Sequence, residues 1–343
     1  MVYFGIRRII QQTILLLTIA AGIQFVVYVF AATGNALPNI ARPPSVEGFL
    51  PIGALISWKR FFATGAWDPV HPAAMVIFGF AILLSFLLRN AFCGWFCPVG
   101  TVSEWCYRTG ESLFGKIFLP PRWLDIPLRG MKYGLLGFFV WIIYTMDASA
   151  IGAFQNSPYY RMADVKMLYL FLRPTTLTLI IIGTIVVLSF VIRHFWCRYL
   201  CPYGALTGLV AVVGPTRVRR NQDACIGCGR CRSACPKRLP IDRKSRIITP
   251  ECIGCMECVT ACPAEGALSF TSVGKDTAWP VKRVGITIAA TWLILIYAAT
   301  LTGNWKSGVS DREFQMRLKQ MDSAAYQHPK KMDESMDADR NQN

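Results

Sequence analysis

Apolar positions gather into five long stretches, at about residues 9–31, 72–88, 133–154, 175–192 and 284–302, divided by polar segments. Each is near the roughly 17–25 residues a helix needs to cross a bilayer. Lipid offers backbone amides no partner except the helix's own carbonyls, so all five read as helices. The pattern therefore predicts an all-α polytopic membrane protein with five transmembrane helices. The first stretch follows Arg7 and Arg8 and outruns the roughly 7–15 apolar residues of a secretory signal, so it reads as a retained anchor.

Composition agrees. Of 343 residues, 53% are hydrophobic and 16% charged, which excludes an ordinary pair of soluble domains. Lysine and arginine then set the orientation. With the N-terminus inside, residues 1–8, 89–132 and 193–283 face the cytoplasm and carry 2, 6 and 15 of the 36 basic residues. The two outer loops carry three each, and the tail from Gly303 balances seven basic against seven acidic residues, as an amphipathic or disordered segment would. The net charge of +16 is thus mostly a topological signal that suits membrane lipid. Nucleic acid is disfavoured as a partner, because the charge sits at membrane flanks.

The membrane part repeats. Residues 84–102 recur at an offset of 104 as residues 188–206, and both copies contain C-x3-C-P: Cys93 and Cys97 followed by Pro98, Cys197 and Cys201 followed by Pro202. The expectation is a duplicated two-helix unit with a pseudo-two-fold axis along the membrane normal, where four thiols meet. If helix continues through each motif, the i, i+4 spacing puts both thiols of a pair on one face. These cysteines are redox candidates for a third cluster, a copper site or a pair of dithiol–disulfide couples. Cys106 belongs to neither pair and reads as a structural thiol.

Between the fourth and fifth stretches lie two further runs, Cys225-x2-Cys228-x2-Cys231-x3-Cys235-Pro and Cys252-x2-Cys255-x2-Cys258-x3-Cys262-Pro. A [4Fe-4S] cubane needs a thiolate on each of four irons; a tight loop presents three, and in two-cluster ferredoxins the fourth comes from the other run. The predicted ligand sets are therefore Cys225, Cys228, Cys231 and Cys262 for one cluster, and Cys252, Cys255, Cys258 and Cys235 for the other. Zinc ribbons also use C-x2-C pairs but lack the trailing Cys-Pro. A disulfide framework is disfavoured on the reducing side of a membrane.

An electron carrier at a membrane calls for a lipid-soluble partner, and quinone is the obvious one. The three histidines, His71, His194 and His328, do not pair mid-helix, so haem is not expected. Asp147, an acid in a predicted span, and His71, in the outer loop 32–71 with Glu47 and Asp68, are the quinone-site candidates. The apolar, aromatic segment from Gly48 to Gly65 in that loop reads as an interfacial anchor or lid. His194, three residues before Cys197, reads as a tuning residue or a snorkelling helix end. Arg230, Arg232, Lys237, Arg238, Arg243, Lys244 and Arg246 surround the cluster loops, where their charge raises cluster potential and suits an acidic partner.

With its two C-x3-C-P motifs and two-cluster segment, the chain resembles the NapH/NosR/MauN group of membrane polyferredoxins, also over Ala41-Arg-Pro, Val46-Glu-Gly, Pro121 to Gly130, Asp164 to Leu168 and Cys197 to Ala205. The resemblance implies quinol oxidation coupled to electron delivery through [4Fe-4S] clusters to a redox partner, at the bacterial cytoplasmic (inner) membrane. No flavin is expected. A branch similar to copper-reducing assembly factors supplies the alternative, metal reduction or redox-linked metallocentre assembly. The expected layout is a four-helix membrane domain (1–215), a small α+β bacterial-type 2[4Fe-4S] ferredoxin insert facing the cytoplasm (216–275), a fifth helix (276–303) and a polar tail (304–343).

Overall fold

Helices occupy all five apolar stretches: Val2–Thr33, Pro72–Leu87, Arg122–Thr145, Thr176–Val191 and Val281–Leu301. The structure is a computed structural model and describes residues 2–34, 39–115, 118, 120–274 and 277–326; His328 and the end of the tail lie outside them. Gly5–Thr33, Trp123–Thr145 and Val281–Leu301 are long and apolar enough to cross a membrane. Ala163–Leu172 and Thr176–Val191 qualify only together, across a 79° bend, while Pro72–Leu87 is apolar but shorter.

The third helix differs from its predicted bounds of 133–154. It starts at Arg122 and carries Pro127 inside it, one turn beyond the start, where the ring forgoes a main-chain hydrogen bond. It ends at Thr145 because Asp147 is a better N-cap than helix interior: its carboxylate accepts from the Ala150 amide (2.8 Å) and opens a new helix, Ala148–Asn156. Asp147 is thus an exposed cap beyond the helix rather than an acid inside a span.

The described chain divides into two compact units, and long helices contribute to both. One comprises residues 1–16, 80–138 and 180–293 and contains every cysteine. Within it, β1 (Thr216–Arg220) lies between β2 (Arg246–Ile247) and β3 (Leu268–Ser272) in an antiparallel sheet, with Val218 opposite both Ile247 and Phe270. These three side chains are buried, so the sheet carries the two cysteine runs on a small apolar core.

The other unit comprises residues 17–79, 139–179 and 294–343. Its core joins Phe25, Tyr28 and Val29 to Val70, Tyr160, Val165 and Phe314. The tail enters this core: Ser310 caps the helix Asp311–Lys319, which buries Phe314 and Leu318, and the Tyr28 hydroxyl donates to Asp311 (2.7 Å). The amphipathic reading therefore holds for that helix.

The polar candidates of the loop 32–71 are interior. Glu47, Asp68 and His71 are each about 1% exposed. Glu47 accepts from the Ala73 and Ala74 amides at the start of the helix Pro72–Leu87, where the helix dipole favours a carboxylate. Asp68 accepts from Ser57 (2.6 Å), Gln155 (3.3 Å) and Tyr160. His71 donates through Nε2 to the Tyr160 carbonyl (2.8 Å), and its Nδ1 lies 3.4 Å from Glu47. Burial disfavours its charge, but the Glu47 carboxylate outweighs burial and holds the imidazole pKa above its ordinary value.

Candidate iron–sulfur sites

The two ferredoxin runs fold alike. At the third position of each, Gly227 (φ 71°) and Gly254 (φ 57°) take the left-handed conformation that turns the loop back on itself. Two residues later Gly229 (φ 69°) and Met256 (φ 59°) repeat it, and each opens a short helix, Arg230–Ala234 or Glu257–Thr260. Each loop thereby wraps three cysteines around one cavity.

One cavity, of about 360 Å³, is lined by Cys225, Cys228, Cys231 and Cys262. The other, of about 380 Å³, is lined by Cys235, Cys252, Cys255 and Cys258. The crossed sets expected from spacing are therefore the sets brought together. Among the described residues, no three His, Cys, Asp or Glu side chains converge tightly enough to hold a single ion. A tetrahedral zinc site, with Zn–S near 2.3 Å, needs that tighter convergence; a cubane spreads its thiolates over four irons. Burial pushes the Cys255 and Cys258 thiols well above their ordinary pKa, and neighbouring carboxylate or thiolate charge adds to it. Such thiols need a cationic core to become thiolates, so the donors fit iron–sulfur.

The environments of the two cavities differ. Cys228 is exposed at the first. The second lies against a seam. A Cβ on Gly94 would stand 2.2 Å from the Ile253 carbonyl, and one on Gly208 would stand 2.4 Å from that of Pro250. Across the same seam Trp95 Nε1 donates to the Gly254 carbonyl (2.9 Å), and the buried Arg89 donates to Ala211 (2.8 Å), Ile247 (2.8 Å) and Thr249 (3.0 Å) carbonyls. The segments carrying the C-x3-C-P motifs are thus keyed directly to the second ferredoxin loop.

Helix does not continue through those motifs. Asn90 (φ 56°) and His194 (φ 53°) break the chain at equivalent positions of the two copies. Widened π turns follow, Phe92–Phe96 and Trp196–Leu200, closed by Cys97 N to Phe92 O (2.8 Å) and Cys201 N to Trp196 O (3.0 Å). Cys97 and Cys201 then become extended caps, with Pro98 and Pro202 in the first turn of the next helices. The i, i+4 helical face is therefore replaced by a π turn and a cap.

The four thiols still share one surrounding. Burial, then the charges of Cys197 and Cys93, push Cys201 up to about 12. Cys97 is raised well above its ordinary value by burial and by Cys93, Cys197 and Cys201. Cys93 lies 3.6 Å from the Thr207 hydroxyl, and the Gly204 amide donates to Cys201 (3.3 Å). The buried Lys237, which also lines the second cavity, acts against the rise at Cys93, Cys197 and Cys201. His194 is buried against the Tyr107 ring (4.9 Å) rather than snorkelling, and burial holds its pKa well below the ordinary value. Cys106 takes no part in either cavity.

Sequence reasoning missed the ion cluster behind the seam. Arg7 pairs with Glu104 (2.6 Å) and Glu257 (2.6 Å) and donates to the Gly94 carbonyl (2.9 Å). One signal was present: the repeat departs from itself at Gly94, whose counterpart is Arg198, paired with Asp125 (2.9 Å). Loss of a side chain on one side only marks a close approach there.

Comparison with known proteins fits this geometry. A family described as a 4Fe-4S binding domain matches twice, at residues 70–121 and 174–221, and each match contains one C-x3-C-P motif. A 4Fe-4S dicluster domain matches residues 217–263, which hold all eight ferredoxin cysteines. The YccM protein of Escherichia coli K12 is 46% identical over 246 residues, covering 71% of this chain and 69% of its own length. The chain belongs to the NapH/MauN-type family of ferredoxin-type electron-transport proteins. Within that family, MauN of Methylorubrum extorquens is 27% identical (60% of this chain, 65% of MauN), and NapH of Haemophilus influenzae is 27% identical (48% and 55%). No solved structure matches the chain. Family membership and the apolar helices make this a membrane-bound iron–sulfur protein of electron transport.

Proposed function

We propose that this protein moves electrons between the quinone pool and a redox partner, using the Cys93, Cys97, Cys197 and Cys201 site and two [4Fe-4S] clusters held by the crossed cysteine sets. The observation that carries the reading is the seam, which brings both C-x3-C-P segments against the loop of Cys252 and Cys255. A cluster bound in each cavity supplies one-electron storage. The chain's own residues do the rest: Gly94 and Gly208 permit contact, and Arg89 places positive charge beside the second cavity, which Lys237 also lines.

In the same proposal the four apolar helices of the two copies and the last helix cross the inner membrane as five spans, with the N-terminus and ferredoxin segment cytoplasmic. Support comes from the basic residues, 23 of 36 on the side assigned to the cytoplasm, and from backbone breaks and π turns recurring at the offset of 104. Quinone-linked proton exchange is assigned to His71, whose pKa Glu47 raises, in preference to Asp147, whose carboxylate is engaged as an exposed cap.

The test is anaerobic addition of a quinol analogue to the purified protein, read by low-temperature EPR. The expected result is reduction of two interacting [4Fe-4S] centres. Failure of that reduction, with stoichiometric conversion of Cu(II) to Cu(I), would replace quinol chemistry by metal reduction at the four buried thiols.

A further inference from the structure

The two cavities differ in how they can meet an outside partner. The second is packed against the seam, whereas the first carries the tip Ile226-Gly227-Cys228, all three exposed, with Ile226 69% exposed. Charge around that tip is mainly positive: residues 216–250 hold ten basic and two acidic side chains, Lys237 among the basic ones being buried at the second cavity, and the exposed Glu265 adds one acid beside the cavity-lining Ala264. The basic side chains are gathered by the fold. Arg220 lines the cavity and donates to the Lys244 carbonyl (3.4 Å), and Arg219 pairs in register with Arg246 across β1 and β2. Asp242, one of the two acids, also lines the cavity, and Arg243 and Lys244 follow it directly; Arg230 follows the Cys228 loop. Arg219, Arg230, Arg243, Lys244 and Arg246 are exposed.

We infer that this rim is the docking surface for a small soluble redox protein with an acidic face around its cofactor, and that electrons pass between that partner and the cluster of Cys225, Cys228, Cys231 and Cys262. An exposed apolar centre within a charged rim is the anatomy of a transient protein interface. One-signed charge around such a centre steers an oppositely charged partner and raises its on-rate by about 10–10³-fold at low salt. An anionic bilayer would meet the same charges. It has no need of an apolar, thiol-bearing tip at their centre, whereas electron transfer requires close approach to a cavity such as the first, whose Cys228 is exposed. In the forward step one electron leaves the reduced cluster and one is gained by the acceptor; no atom is transferred.

The inference rests on the proposed cluster in the first cavity, so the experiment reads that first. Full-length protein in nanodiscs is reduced with dithionite, its EPR signals recorded, and then mixed by stopped flow with an acidic flavodoxin or with a basic cytochrome c. The expected result is flavodoxin reduction that slows about tenfold or more as salt rises, and by a similar factor in R243E/K244E/R246E with EPR unchanged. The milder R243Q/K244Q/R246Q variant should fall between, which keeps the test sound if charge reversal disturbs folding. Cytochrome c should show the opposite salt trend. Equal rates in the charge-reversed protein, or no salt dependence, would overturn the docking surface while leaving the clusters in place. Unchanged flavodoxin rates with lost binding of the detergent-solubilised protein to phosphatidylglycerol vesicles would assign the rim to the membrane. Absence of both EPR signals would overturn the function proposal as well.

Discussion

Replacing Arg7 by methionine tests whether the N-terminal helix is pinned to the redox segments by electrostatics. Arg7 is 4% exposed and, with Arg108, faces Glu104 and Glu257, formally two positive charges for two negative, although burial outweighs the arginines at Glu257 and holds its pKa above the ordinary value. Methionine keeps most of the apolar stem but leaves a net negative charge in the cluster and the Gly94 carbonyl without its shortest side-chain bond. Breaking a buried pair by removing one partner costs about 3–5 kcal/mol; Arg108 remains, so the low end applies. The Glu104 pKa points the same way. Burial alone would raise it, but Arg7 first, with His194 and Arg108, brings it from 4.5 to about 2, a depression worth about 3 kcal/mol for the whole surrounding. For a unit of this size that corresponds to a melting shift of about 6–12 °C.

The assay is thermal unfolding in detergent, followed by loss of the visible cluster absorbance and by tryptophan fluorescence. Because the folded pKa lies below the unfolded one, the stabilisation is fully present above about pH 4.5 and is lost as pH falls towards 2. Wild type should therefore lose melting temperature across that interval more steeply than R7M. R7M/E257Q, which restores neutrality, should recover most of the loss. An R7M protein melting within about 2 °C of wild type near neutrality, with the same acid dependence, would refute the reasoning.

Two further predictions concern the sites. Cys262→Ser should remove the EPR signal of the exposed cluster and Cys235→Ser that of the buried one, although each residue lies in the other run; loss within its own run would refute the crossing. Gly94→Ala places a Cβ against the Ile253 carbonyl, so quinol-driven cluster reduction should slow about tenfold or more, as ångström-scale misplacement does, while dithionite still reduces both clusters normally.

The eight ferredoxin cysteines were legible because cubane chemistry fixes both their spacing and the crossing of the runs. The apolar stretches were legible because lipid admits one backbone solution. What escaped depends on tertiary context. Asp147 read as an intramembrane acid because a hydropathy window cannot see that Asp caps better than it continues a helix. The burial of Glu47, Asp68 and His71 was not legible, since it is sustained by partners as distant in sequence as Tyr160 and Gln155. The break at Asn90 and His194 had a faint signal, Asn and His being more tolerant of left-handed backbone than most residues. Arg7 looked like a topological charge and is also a structural ion.

The glycine seam bears on assembly and upkeep. With carbonyls packed against Gly94 and Gly208, the helix ends lie on one flank of the second cavity and narrow the approach for a scaffold protein's hand-off once the segments have closed. On the proposed cofactor content, that cluster is best delivered while the ferredoxin segment still stands apart from the helix ends, and it then exchanges less readily. The outer cluster, reached at Cys228, can be lost to oxidants and replaced in the mature protein. Damage and repair would thus fall on the exposed site, and biogenesis would acquire a preferred order.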